Sequence, residues 1–239
     1  MYNNIKICGE VWGCIVRFDQ TLGRAKELPM KRQLSLGEYR TIDLAIFAVM
    51  LALFEFLIVR FAVVSVYAVS LAAVITAIVY MRWGWWGAIH AVLAGVLFCF
   101  YYSGIAPPDW VRPEQYIIYP LGNLFSLAAV PVLKKLGEER VRQSATASLL
   151  FSLSVILLMQ GGRAVVGVVI MLLSQSGQPD WAVIGQRALG CFTTDALSIL
   201  FTLVVTWIVR RLDGVFEEQR HYLTRIQEER DLERNNAEQ

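Results

Sequence analysis

Six long apolar stretches, with charge almost confined to the gaps between them, dictate the solvent in which this chain folds. They run over Asp43–Val59, Phe61–Tyr80, Trp83–Tyr102, Tyr116–Val132, Ala145–Leu173 and Ala182–Val209. A helix takes about 20 residues to cross a hydrocarbon core of about 30 Å, and each stretch is close to that length or above it. The expectation is an all-α membrane protein with six transmembrane helices. In lipid every backbone polar group must be paired internally. Each polar side chain within a span is costly and needs a physical reason.

The distribution of Lys and Arg sets the orientation. Before the first stretch lie Lys6, Arg17, Arg24, Lys26, Lys31, Arg32 and Arg40. Arg82 follows the second stretch, and Lys134, Lys135, Arg140 and Arg142 follow the fourth. Arg210, Arg211, Arg220, Arg225, Arg230 and Arg234 follow the sixth. The alternate gaps hold only Arg60 and Arg112, with no basic residue between Gln175 and Trp181. Cytoplasmic loops carry the Lys/Arg excess. Both termini are therefore expected in the cytoplasm, the number of spans even, and the location the cell membrane. Three regions follow: a cytoplasmic arm over 1–40, a transmembrane domain over 41–211, and a charged C-terminal helix over 212–239. Residues 1–40 contain no cleavable signal pattern, which leaves the first span as the insertion signal. Val11–Phe18 could lie as a short amphipathic helix on anionic membrane lipid, or form a loosely ordered tail.

Cys99 and Cys191 fall within spans and read as small apolar side chains. Cys8 and Cys14 lack the spacing and the histidines of a zinc site, so no metal and no cofactor is expected. Arg82 stands beside Trp83, Trp85 and Trp86, as in an interfacial aromatic belt, and Gly84 and Gly87 permit a tight turn there. Pro131 should kink the fourth span or end its regular part. Asp43 reads as an acid in the first turn of span one.

The polar residues within the spans are Glu55, His90, Asn123, Gln160, Arg163, Arg187 and Asp195. Ionisable groups in spans face the bundle interior and pair with one another or line a cavity. Arg163 lies deep in span five and requires an anion, for which Asp195, at matching depth in span six, is the candidate. This pair either joins two helices or presents Arg163 to an anionic or carbonyl-bearing ligand. Asn123 shares a helix face with Tyr119 and could meet a ligand edge or another helix. Glu55 either lines an outward pocket or is an interfacial acid, with Arg60 poorly spaced to pair with it. Trp110 and Arg187 could add an aromatic lid and a polar anchor to a small-molecule site. His90 reads as a packing or hydrogen-bonding group. No nucleophile–base set, phosphate loop or kinase signature is present, so neither enzyme activity nor an intrinsic ATPase is expected, and no nucleic-acid partner either.

Ala48-x-x-x-Ala52 in span one, after Arg40-Thr41-Ile42-Asp43, places two small side chains on one helix face. With six spans, inside termini and polar groups weighted to one half, the chain resembles a substrate-binding (S) component of an energy-coupling-factor transporter. The resemblance spans about residues 38–211. It implies uptake of a vitamin-like micronutrient and docking of the Ala48/Ala52 face on a transmembrane coupling subunit. It also implies two ATPase subunits as the energy source, and a pocket formed by outer loops and the outer ends of helices four to six. On that basis Glu55, Trp110, Tyr119, Asn123, Arg163, Arg187 and Asp195 are the candidate substrate-binding residues. A six-span scaffold similar to MreD-type morphogenesis proteins, or a sensory module with a signalling tail, are the alternatives.

Overall fold

A computed structural model describes residues 35–61, 69–105, 113–174, 180–193, 195–212, 214–215 and 217–237, of which Arg187, Arg220, Gln227, Arg230, Asp231 and 233–237 are described by backbone only. The chain divides into two units, Met1–Ile42 and Asp43–Gln239. In the first unit only residues 35–42 are described. The expected arm helix Val11–Phe18, Cys8, Cys14 and Trp110 lie outside the described residues.

All regular structure among the described residues is helical. Helix α1 (Leu36–Phe61) starts seven residues before the expected span. A capping box explains this: Ser35 Oγ accepts the Glu38 N–H at 3.2 Å, and the Glu38 carboxylate accepts the Ser35 N–H at 2.8 Å. Helix α2 (Ala72–Trp83) is followed by a 3-10 turn (Gly84–Trp86) and α3 (Gly87–Ile105). Helix α4 (Gln115–Asn123), a 3-10 stretch (Leu124–Ala128) and α5 (Ala129–Leu136) form one rod. The 3-10 stretch includes Leu127, four residues before Pro131, whose missing N–H and ring disturb that turn. After α6 (Glu138–Gln143) come α7 (Ala145–Ser174), α8 (Trp181–Thr193), α9 (Ala196–Val209) and α10 (Gln219–Ala237).

Five helical stretches among the described residues are long and apolar enough to cross a membrane: Leu36–Arg60, Ala72–Ser103, Gln115–Leu136, Ala145–Ser174 and Trp181–Val209. The second of these folds back on itself. Gly84 turns the chain with φ +58°. The Tyr102 hydroxyl then reaches the Val69 backbone, so α2 and α3 pack as an antiparallel pair. The limb α2 has only 12 residues, about 18 Å of helix. That is shorter than the span expected over Phe61–Tyr80, of which residues 62–68 are not described. Every residue of α2 from Ala72 to Arg82 is buried, which makes it the central post of the bundle. It packs against α3, α7 and α9.

The sixth expected span contains α8, to Thr193, and α9, from Ala196, with Asp195 in a turn at the start of α9. The charged C-terminal helix expected over 212–239 is a helix separate from α9. Turns at Arg210–Leu212 end α9, and α10 begins at Gln219. Tyr80, Phe151, Leu51, Met81 and Leu133, all below 2% exposed, anchor the apolar core. Much of the remaining apolar surface faces outward, including Val49, Leu53, Phe100, Val165 and Leu200. Such a surface suits hydrocarbon and not water.

Candidate functional site

The polar interior is assembled where helices come close or stop. Helices α4 and α7 cross backbone to backbone. A Cβ on Gly162 would fall on the Gly122 carbonyl oxygen, and a Cβ on Gly122 would lie 2.5 Å from the Arg163 nitrogen. Only glycine permits this approach. The crossing sets Arg163 directly beside Asn123. The sequence contains Gly122, Gly161 and Gly162 in plain view, but their pairing depends on which helices adjoin.

Arg163 is buried and fully engaged. Its Nε donates to Asn123 Oδ1 at 2.8 Å, and Nη1 donates to Asp195 Oδ2 at 2.8 Å and to Gln160 Oε1 at 3.4 Å. Gln160 Nε2 donates to the same Asp195 oxygen. Asn123 Nδ2 donates to the Ala91 carbonyl of α3 at 2.9 Å. The guanidinium lies 4.5 Å from the Tyr119 ring centroid and 5.9 Å from that of Phe98. Phe98 stacks on Tyr119 at 4.7 Å and meets Tyr102 at 4.3 Å. Asp195 stands at the N-cap of α9, so an acid at a helix start is turned toward an arginine at mid-helix. The expected Arg163–Asp195 pair is thus formed, with Asn123 and Tyr119 beside it.

Glu55 occupies the neighbouring niche with no exposed surface. Its Oε1 accepts the Ser70 hydroxyl at 2.7 Å and the Leu71 N–H at 3.1 Å, capping the start of α2. Ser70 N–H in turn donates to Ser198 Oγ at 2.9 Å. These side-chain bonds occupy the backbone of Ser70 and Leu71, so the helix begins after them. Glu55 Oε2 has no hydrogen-bond partner. Neither the interfacial position nor a pair with Arg60 describes it. Arg163 is near enough for its charge to act on Glu55, and both carboxylates act on Tyr102.

Five of the seven candidates therefore fall in one buried cluster: Glu55, Tyr119, Asn123, Arg163 and Asp195. The Arg187 side chain and all of Trp110 lie outside the described residues. Ala48 and Ala52 are half-buried on α1, beside the exposed Val49 and Leu53. His90 hydrogen-bonds through Nε2 with the Leu44 carbonyl at 3.0 Å, tying α3 to α1.

A second polar centre lies at the end of the bundle where α1 begins and α2 ends. Arg82 Nε and Nη2 grip both Asp43 oxygens at 2.8 and 2.7 Å, and the Trp83 indole N–H donates to the same carboxylate. Arg82 Nη1 also donates to the Gly214 carbonyl, which fastens the segment between α9 and α10. Asp43 and Arg82, taken from sequence as a first-turn acid and a belt cation, are partners. Nearby, Glu217 lies between Arg225, at 3.2 Å, and Arg142, at 3.9 Å. Glu138 lies against Glu218. Burial first, and then the Glu218 charge, raises the Glu138 pKa above its ordinary value. His221 pairs with Glu218 at 3.3 Å. Donor atoms of Glu138, Glu218 and His221 lie within 4.8 Å of one another.

No family model matches the chain, and neither does any curated protein or solved structure.

Proposed function

We propose that this is a multi-pass cell-membrane protein that binds a small molecule for uptake, a substrate-binding subunit of the energy-coupling-factor type. In this reading the chain makes six crossings, with α2 and α3 as the second and third and both termini in the cytoplasm. The Ala48/Ala52 side of α1 docks on a coupling subunit, and partner ATPases supply the energy. The observation that carries the reading is a convergence. The start of α2, the start of the 3-10 stretch after Asn123 and the start of α9 at Asp195 all adjoin one buried ionic cluster. Irregular backbone at membrane depth is tolerated where it is buried in protein or lines a cavity. Interrupted helices with ionisable groups at their ends are how transporters build binding sites.

Native mass spectrometry of protein purified without added ligand tests this directly. A copurifying small molecule, lost in Asn123→Leu or in the paired Arg163→Met and Asp195→Leu variant, is the expected result. A chain that carries nothing, responds to no vitamin, purine or amino-acid derivative in thermal-shift screens, and recovers no ATPase in pull-downs would falsify it.

One observation favours the scaffold alternative. Arg163 already has protein acceptors at Nε and Nη1, as a helix-locking group would. Under that reading the paired apolar variant stays folded and fully active, and pull-downs yield cell-wall synthesis proteins.

A further inference from the structure

Within the cluster, Glu55 is the group whose chemistry is incomplete. The α2 start and Ser70 answer Oε1, but Oε2 is buried and unpartnered. Charge is unbalanced as well. Among the described side chains the cluster holds two carboxylates, Glu55 and Asp195, and one guanidinium. That guanidinium is held by Asn123, Gln160 and Asp195. A buried carboxylate without a counter-charge is strongly unfavourable, and more so in a membrane interior. Something positive belongs at Oε2.

The surroundings narrow what that is. One turn after Glu55, Val59 packs in a cluster with Phe98, Cys99 and Tyr102. Tyr102 in turn touches the backbone next to Ser70. The Phe98–Tyr102 ring pair thus packs one helical turn from Glu55, Tyr102 is near enough to feel the Glu55 charge, and the connected Tyr119 ring already faces one cation, Arg163. A carboxylate beside aromatic faces is the chemistry that recognises ammonium groups. A metal ion would need several oxygen ligands in place of rings. Helix α1 is held to its neighbours through side chains such as Phe47, Leu51 and Glu55, without extended close backbone packing.

We propose that the ligand carries a single positive charge on an ammonium group, protonated or quaternary, and that Glu55 Oε2 receives it. This rests on the substrate-binding reading above. Glu55→Gln keeps an oxygen for Ser70 and Leu71 while removing the charge, and Glu55→Asp keeps the charge while shortening the arm. The test measures binding to the full-length protein in detergent by thermal shift and calorimetry. Probes are choline and benzylamine, each against its neutral isostere, 3,3-dimethyl-1-butanol and benzyl alcohol. The expected result is binding of at least one cation, weakened at least about tenfold in Glu55→Gln, less in Glu55→Asp, with the neutral isosteres inert. Equal binding to wild type and Glu55→Gln overturns the proposal, and so does a neutral isostere that binds as tightly as its cation. A melting temperature that responds to pH but to neither amine means that Oε2 takes a proton alone, which also overturns it. A copurifying neutral or anionic compound bound equally by Glu55→Gln defeats the ammonium assignment and leaves the substrate-binding reading standing. Absence of any ligand in the native spectra defeats both.

Discussion

Two buried arginine–aspartate pairs hold this molecule, and they are built differently. At the end where α2 stops, Arg82 grips Asp43 with both arms of its fork and reaches a carbonyl between α9 and α10. At mid-bundle, Arg163 touches one oxygen of Asp195 and spends its other bonds on the amides Asn123 and Gln160. The first is a clamp between chain segments, closed by a bidentate pair of high geometric specificity. The second is a network of side chains from several helices, with a second carboxylate beside it. A clamp fixes helix ends, whereas a network can exchange partners.

The largest effect expected from testing this contrast is shared by both regions. Asp43→Ala and Asp195→Ala each leave a buried guanidinium unpaired and should cost about 3–5 kcal/mol, measured by reversible unfolding in detergent. A loss below about 1 kcal/mol at either site breaks the comparison, because an exposed pair is worth no more than that. The paired replacements then separate the two. Arg163→Met with Asp195→Leu should remain destabilised by about 1–3 kcal/mol, since buried Asn123 Oδ1 and both ends of the Gln160 amide lose the partners the pair supplied. Arg82→Met with Asp43→Leu should return stability closer to wild type, as apolar replacement of whole buried pairs does, because the Gly214 carbonyl keeps the Gln219 side-chain amide as donor.

Of opposite sign is Glu55→Gln, expected to raise the stability of the ligand-free protein by about 1–3 kcal/mol because it removes a buried charge whose second oxygen has no partner. The weakest is a pH effect confined to the clamp end. Glu138 has a raised pKa in the folded protein, so its stabilising contribution is full below the ordinary value of 4.5 and is lost as pH rises through the folded value. Docking of α10, followed by labelling of a cysteine placed on it, should loosen over that rise. Glu138→Gln should flatten the response, and an unchanged profile in that variant sinks the assignment.

Much of this was legible in the sequence. Apolar stretches located the helices, and the depths of Arg163 and Asp195 pointed to their pairing, because an arginine in lipid must find an anion. What escaped was whatever depends on which helices adjoin. Asp43 and Arg82 are 39 residues apart and belong to different spans. Ser35 and Glu38 did form a readable capping box, overlooked because hydropathy fixed the start of the helix. The late start of α2 comes from Glu55 and Ser198 engaging Ser70 and Leu71, and hydropathy carries no trace of those bonds. The start of α9 at Asp195 is similar, since an apolar run conceals where a helix begins.

The glycine crossing of α4 and α7 has a mechanical consequence. Two rods in contact through bare backbone at one point resist sliding, because the neighbouring side chains would collide, yet they can scissor about it. Gly122 and Gly162 form a fulcrum, and Arg163 and Asn123 stand right beside it. Tilting would swing the far ends of both helices widely while moving this pair little, so the ionic network can persist as the bundle opens around it.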